Sequence, residues 1–166
     1  MLMQENKNGM THVKYFYRYR AGRYDVTVAE KDGKITDTFF GADSVEGAVE
    51  KETPLLFMAG NQLKEYFAGE RKKFSLPLQP EGTPFQKKVW DALLTIPYGE
   101  TRSYKEIAIQ IGNEKACRAV GMANHNNPVG IVIPCHRVVG SSGKLTGYAG
   151  GLDKKEYLLE LERKNR

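Results

Sequence analysis

The chain predicts an α+β fold in two subdomains: an N-terminal antiparallel sheet with helices over residues 1–80, and a mostly helical C-terminal part over 81–166 containing a helix-turn-helix. Three observations carry this. Period-two alternation of apolar and polar residues is confined to the first forty residues, capped helical patterns begin at Thr83, and a Pro- and Gly-containing stretch separates the two regimes. With 166 residues, 40% of them hydrophobic, the chain can bury one core or two small ones that share an interface.

Taken in order, His12 to Arg20 alternates Val13, Tyr15 and Tyr17 with Lys14, Arg18 and Arg20, which is a strand pattern. Tyr24 to Ala29 repeats it, and Asp32-Gly33 is a tight hairpin signal before a third strand, Ile35 to Phe40. Helix is expected from Ser44 onward and again over Pro54 to Phe67, where Leu55, Leu56, Met58, Leu63 and Phe67 recur at helical spacing. Phe74 to Thr83, with Pro77, Pro80 and Gly82, reads as a linker or loosely packed crossing. Thr83-Pro84 then gives an N-cap followed by proline at the first helical position, with Phe85, Val89, Trp90, Leu93 and Leu94 as one apolar stripe. Ser103-Tyr104-Lys105-Glu106 is a capping box that opens a helix through Ile107, Ile109 and Ile111. Gly112-Asn113 breaks the chain, and a third helix is expected from Glu114 to about Asn124. Helix, Gly-containing turn and helix form a helix-turn-helix, whose second helix uses its N-terminal residues to enter a DNA groove.

Ile131 to Val139 reads as a β-branched strand that carries Cys135 and His136 to a rigid edge. Only the thiolate is strongly nucleophilic, so a thiol there needs a nearby base or cation. Gly147-Tyr148-Ala149-Gly150-Gly151 is a flexible loop, followed by a helix from Leu152 with Tyr157, Leu158 and Leu161 toward the core and Glu156 in its first turns.

The net charge is +5, and its distribution is uneven: 12 Lys+Arg stand against 12 Asp+Glu up to Glu81, and 13 against 8 from Gly82 onward. The helix-turn-helix lies in the basic half, as expected for a polyanion-binding surface. A reactive thiol behind a DNA-reading helix implies a substrate atom on a base, which must be rotated out of the duplex before a side chain reaches it. Two cysteines, Cys117 and Cys135, make a disulfide framework unexpected and fit a reducing compartment. Met1 to Thr11 lacks the apolar core of a signal peptide, and no run has the length of a membrane span, so a cytoplasmic protein is expected.

Pro134-Cys135-His136-Arg137-Val138, with Asn127-Pro128 before it and Tyr148-Ala149-Gly150-Gly151-Leu152 through Glu156 after it, resembles the O6-alkylguanine-DNA alkyltransferase family. The likeness runs from about Thr83 to Leu161. The resemblance implies a ribonuclease-H-like N-terminal layer, a winged-helix-like C-terminal part, and stoichiometric, irreversible transfer of an alkyl group from guanine O6, with O4-alkylthymine as a further candidate substrate, to Cys135. It also implies roles for individual residues. His136 matches the base that draws the thiol proton through a water, and Glu156 the carboxylate that orients it, a Cys-His-Glu arrangement analogous to hydrolytic triads. Asn127 matches the brace of the adjoining turn, and Lys155 a lysine that assists electrostatically. Tyr104 matches the tyrosine that helps rotate the nucleotide and protonates departing guanine, and Arg118 the finger that fills the gap left in the stack.

Asn113, Lys115, Ala116 and Ala119 complete the expected DNA surface, and Val138, Tyr148, Ala149 and Gly130 the substrate pocket. The carbonyls of Cys135 and Val138 are expected to accept guanine's exocyclic amine, and a backbone N–H near Ala149 to stabilise the oxygen left behind. Some relatives carry Ser at position 149. Gly130, without bulk at a pocket wall, predicts tolerance of alkyl groups larger than methyl. Cys117 reads as a packing residue, with a second alkylation site as its alternative. No cofactor and no metal are expected, since the N-terminal half has no cysteine and only His12. Double-stranded DNA is the expected partner, the protein a monomer, and sequence preference weak. A damage-sensing relative without transfer, a transcriptional regulator and a cysteine hydrolase are the alternatives. The first lacks an acceptor cysteine, the second leaves the Pro-Cys-His step unexplained, and nothing here suggests the acyl substrate of the third.

Overall fold

The computed structural model describes residues 3–5 and 11–166, so the expectation for the Met1 to Thr11 segment lies almost wholly outside the described residues. The chain divides into two compact units, Met1–Pro80 and Glu81–Arg166.

In the first unit, β1 (Met3–Glu5), β2 (Thr11–Ala21), β3 (Tyr24–Lys31) and β4 (Lys34–Phe40) form an antiparallel sheet in that order, and β5 (Val49–Glu50) adds to β2 in parallel. The three expected strands are β2, β3 and β4. Asp32 (φ 54°) and Gly33 (φ 75°) make the turn between β3 and β4 with both central residues left-handed, as a right-twisted hairpin requires. Helix α1 (Pro54–Phe67) covers the sheet with Leu56, Ala59, Leu63 and Tyr66 inward. It starts where predicted because Thr53 caps it: the Thr53 hydroxyl accepts from the Leu56 amide (3.1 Å) and donates to buried Glu30 (2.6 Å). At Gly60 a Cβ would lie 2.5 Å from the Tyr19 ring, so the missing side chain sets how closely α1 approaches β2.

Two expectations fail in this unit. No helix forms from Ser44: Gly47 adopts a left-handed φ of 73° and β-branched Val49 pairs with Tyr15, so sheet extension wins over local helix formation. The stretch after Phe74 is not loosely packed. Ile35 bonds Pro77 O and Gln79 N through its amide and carbonyl (both 2.8 Å), while Gln62 exchanges hydrogen bonds with Ser75, so the crossing is pinned to the β4 edge.

The second unit contains α2 (Pro84–Leu93), α3 (Tyr104–Gln110), α4 (Cys117–His125) and α5 (Leu152–Lys164), with short parallel strands β6 (Arg102–Ser103) and β7 (Val138–Val139). Both predicted capping boxes are present, Thr83 with Gln86 and Ser103 with Glu106. Gly112 (φ 80°) terminates α3, with the Asn113 amide returning to Ala108 O. Helix α4 begins at Cys117 rather than Glu114, because Asn113–Ala116 closes a turn first and Ala116 offers no capping side chain. Trp90 forms the centre of the core and donates from Nε1 to Ala123 O (2.8 Å), which locks α2 to α4.

The predicted strand over Ile131–Val139 is mostly absent. Only Val138 and Val139 are extended, and Cys135–Arg137 is a 3-10 turn. The preceding backbone satisfies itself locally, Val132 N to Gly130 O, Ile133 N to Val129 O and Cys135 N to Ile133 O, with Ile131 left-handed at φ 72°. Ile131, Val132 and Ile133 are apolar because the turn lies in the core, not because they pair with a neighbouring strand.

Candidate active site

Asn127 builds the turn that presents the thiol. Its Oδ1 accepts from the Val129 amide (3.0 Å) and its Nδ2 donates to Ile133 O (2.9 Å), substituting for the ladder that a strand would have used. Cys135 follows directly and is only 4% exposed. Burial pushes its thiol up, while hydrogen bonds from Asn127 and Tyr148 and the charge of Lys155 oppose the rise. The net direction is up, so at neutral pH the resting group is the thiol and a base is required.

His136 is fully buried beside it, and its Nε2 donates to Glu162 Oε2 at 2.7 Å. Glu162 also accepts from Arg137 Nε (2.8 Å) and Nη2 (3.0 Å) and from the Gly99 amide (3.1 Å). Burial alone would raise the Glu162 carboxyl, but the hydrogen bonds and charges of His136 and Arg137 outweigh it and hold the group well below the usual carboxylate range. Burial lowers the His136 imidazole, with Glu162 opposing, so the ring is neutral. Arg137 spans the rest of the cluster, donating from Nη1 to Ile96 O (2.7 Å).

The carboxylate partner is therefore Glu162 and not Glu156, which the structure leaves exposed. The physical reason is helical phase. Lys155, Leu158 and Glu162, three and four residues apart, share the buried face of α5, and Glu156 sits one residue off it. Leu158, already expected on the core side, was the signal that could have identified Glu162 four residues later.

Lys155 is buried with them, donating from Nζ to Val138 O (2.6 Å) and Thr146 O (3.2 Å). Burial lowers its ammonium, and the nearby Cys135 opposes this. Burial raises the Tyr148 phenol well above the ordinary value, and the neighbouring Cys135 adds to it. Tyr104, at the start of α3, shares a hydrogen bond with the Thr146 hydroxyl at 2.6 Å. Sequence reasoning also missed Asn124, a buried α4 residue whose Nδ2 donates to Cys135 O at 3.3 Å. Cys135 O accepts the Val138 amide as well, so the two carbonyls expected to read an exocyclic amine already carry protein donors.

Among the DNA-surface candidates, Asn113, Lys115, Arg118 and Ala119 are exposed and Ala116 is half-buried at the foot of α4. In the pocket set, Val138 is buried, Tyr148 and Gly130 are half-buried and Ala149 is exposed. Both cysteines are free. Among the described residues no three His, Cys, Asp or Glu converge as a metal site, and no helix is long and apolar enough to cross a membrane.

Residues 84–164 match the 6-O-methylguanine DNA methyltransferase DNA-binding domain, and residues 22–80 match the ribonuclease-like domain of the same family. The constitutive methylated-DNA--protein-cysteine methyltransferase of Bacillus subtilis is 51% identical over 147 residues, 84% of this chain and 89% of that protein. The chain belongs to the O6-methylguanine DNA methyltransferase family. Another member, from Methanosarcina barkeri, is 64% identical over 107 residues, 64% of this chain and 68% of its own length. The crystal structure of Mycobacterium tuberculosis OGT in complex with DNA superposes with a TM-score of 0.85 at 46% identity, covering 91% of this chain and 94% of that one. These likenesses bear out the two-part α+β fold read from the sequence of this methyltransferase-family chain.

Proposed function

We propose that this protein repairs DNA by direct reversal, transferring an alkyl group from guanine O6 in duplex DNA to Cys135. The observation that carries the reading is the buried His136–Glu162 pair beside a buried thiol, in a chain of this family. Because Nε2 donates to the Glu162 carboxylate, the neutral ring carries its proton there and its basic nitrogen is Nδ1. The thiol proton passes through a water to Nδ1, and Glu162 stabilises the imidazolium that results. Cys135 Sγ then displaces the O6 oxygen at the alkyl carbon: the S–C bond forms, the C–O bond breaks, and guanine leaves with the electron pair. Tyr104 supplies a proton to that anion, and Lys155 offsets charge near the sulfur.

Arg118, exposed near the start of α4, enters the duplex where the base had stacked, since its planar cation can hydrogen-bond an orphaned partner. Lys115 and the Asn113 and Ala116 region hold the backbone, and Ala119 admits close approach. Val138, Tyr148, Ala149 and Gly130 surround the flipped base, and the bare Gly130 admits alkyl groups larger than methyl. The thioether product has no leaving tendency toward water, so each molecule acts once. The protein works as a monomer in the cytoplasm, where thiols stay reduced.

The test is peptide mass spectrometry after incubation with one equivalent of duplex carrying a single O6-methylguanine. One added methyl on the Cys135 peptide, with no turnover beyond one equivalent, is expected. Lesion binding without modification would instead make the chain a damage sensor.

A further inference from the structure

Thr146 lies outside every role above, yet it touches two of the groups that carry them. Its hydroxyl lies 2.6 Å from the Tyr104 phenol, and its carbonyl accepts the Lys155 ammonium at 3.2 Å. The same ammonium holds Val138 O, two residues beyond His136. Behind Thr146, Gly140 leaves room for its methyl, since a Cβ there would lie 3.2 Å from Thr146 Cγ2. Two residues further along, the Tyr148 phenol neighbours Cys135. One short segment thus fixes a phenol at the thiol and a second phenol at the foot of α3. On its other side the Tyr104 ring faces Gly121 of α4, where a Cβ would stand 3.8 Å from it.

We propose that Thr146 is a positioning residue for proton delivery: by donating its hydroxyl hydrogen to the Tyr104 oxygen, it turns the Tyr104 proton away from itself and toward the departing guanine. The inference rests on the reading of Tyr104 as the proton donor. When the Tyr104 O–H bond breaks, the proton goes to the guanine anion, and the phenolate left behind keeps the hydrogen bond from Thr146 until solvent reprotonates it. Anchoring of the Thr146 carbonyl by Lys155 keeps the donor in place during this step.

The experiment compares single-turnover methyl transfer from an O6-methylguanine duplex with affinity for an undamaged duplex, in four variants checked by thermal melting. Thr146→Val is expected to slow transfer by about tenfold, the worth of one hydrogen bond, with duplex affinity within about twofold. Thr146→Ser, which restores the hydroxyl, is expected to transfer at the wild-type rate. Tyr104→Phe combined with Thr146→Val should be no slower than Tyr104→Phe alone, because both changes remove one interaction. A slow Tyr104→Phe beside a wild-type-fast Thr146→Val, a Thr146→Ser as slow as Thr146→Val, or additive losses in the double variant would overturn the positioning role while leaving the reading of Tyr104 intact. A Tyr104→Phe as fast as the wild type would remove both.

Discussion

Glu162 is the residue on which the site turns, because one buried carboxylate holds both the His136 ring and the Arg137 guanidinium. Glu162→Gln keeps the shape but leaves Arg137 buried opposite a neutral amide. It is expected to cost about 3–5 kcal/mol of stability, measured by urea unfolding, and to slow alkyl transfer far more than Glu156→Gln, which changes an exposed side chain. The pH dependence follows from the directions of two shifts. His136 is lowered in the folded protein, so below about pH 6.5 the unfolded chain binds its proton first. Glu162 is also lowered, so below about pH 4.3 the unfolded chain again gains the proton first. Both groups therefore remove stability as pH falls. Unfolding midpoints should decline from about pH 6.5 downward, and more steeply below about pH 4.3; a Glu162→Gln variant should show a shallower limb there.

At the scale of elements, the chain is most legible where local chemistry acts alone. Thr83 with Gln86 and Ser103 with Glu106 announce their helices, and both helices start there because the capping bonds are satisfied within four residues. Ser103→Ala is expected to destabilise the C-terminal unit by about 1 kcal/mol in denaturant titration. Gly60 poses the opposite case. Alanine would favour an isolated helix by about 1 kcal/mol, but here its Cβ would meet the Tyr19 ring at 2.5 Å. Gly60→Ala should therefore lower the stability of the N-terminal unit, by about 1–3 kcal/mol, as overpacking does. The same competition explains the misread elements. Ser44 to Glu52 has helix-compatible residues, yet Val49 finds Tyr15 across the sheet, and Ile131 to Ile133 look like a strand although Asn127 folds them into a turn.

At the scale of the whole molecule, the basic excess of the second half and the exposed Lys115 and Arg118 of the helix-turn-helix predict phosphate-dominated binding. Affinity for undamaged duplex should fall linearly on a log–log plot against salt, and Lys115→Ala should reduce the slope by about 1, measured by fluorescence anisotropy. Arg118→Ala is expected to retain most duplex affinity while slowing transfer, since its role begins once the base has left the stack. By itself the sequence determined the two-part α+β organisation, the capped helices and the Cys135-His136 step, because these depend on residue type, short-range spacing and composition. The tertiary structure decided which carboxylate serves His136, what holds the Cys135 carbonyl, and which hydroxyl meets Tyr104. Those partners are Glu162, Asn124 and Thr146, brought in from 26, 11 and 42 residues away. Only the packing of α5, α4 and the loop before α5 puts them within hydrogen-bonding distance, and no local pattern encodes a distance between segments that far apart.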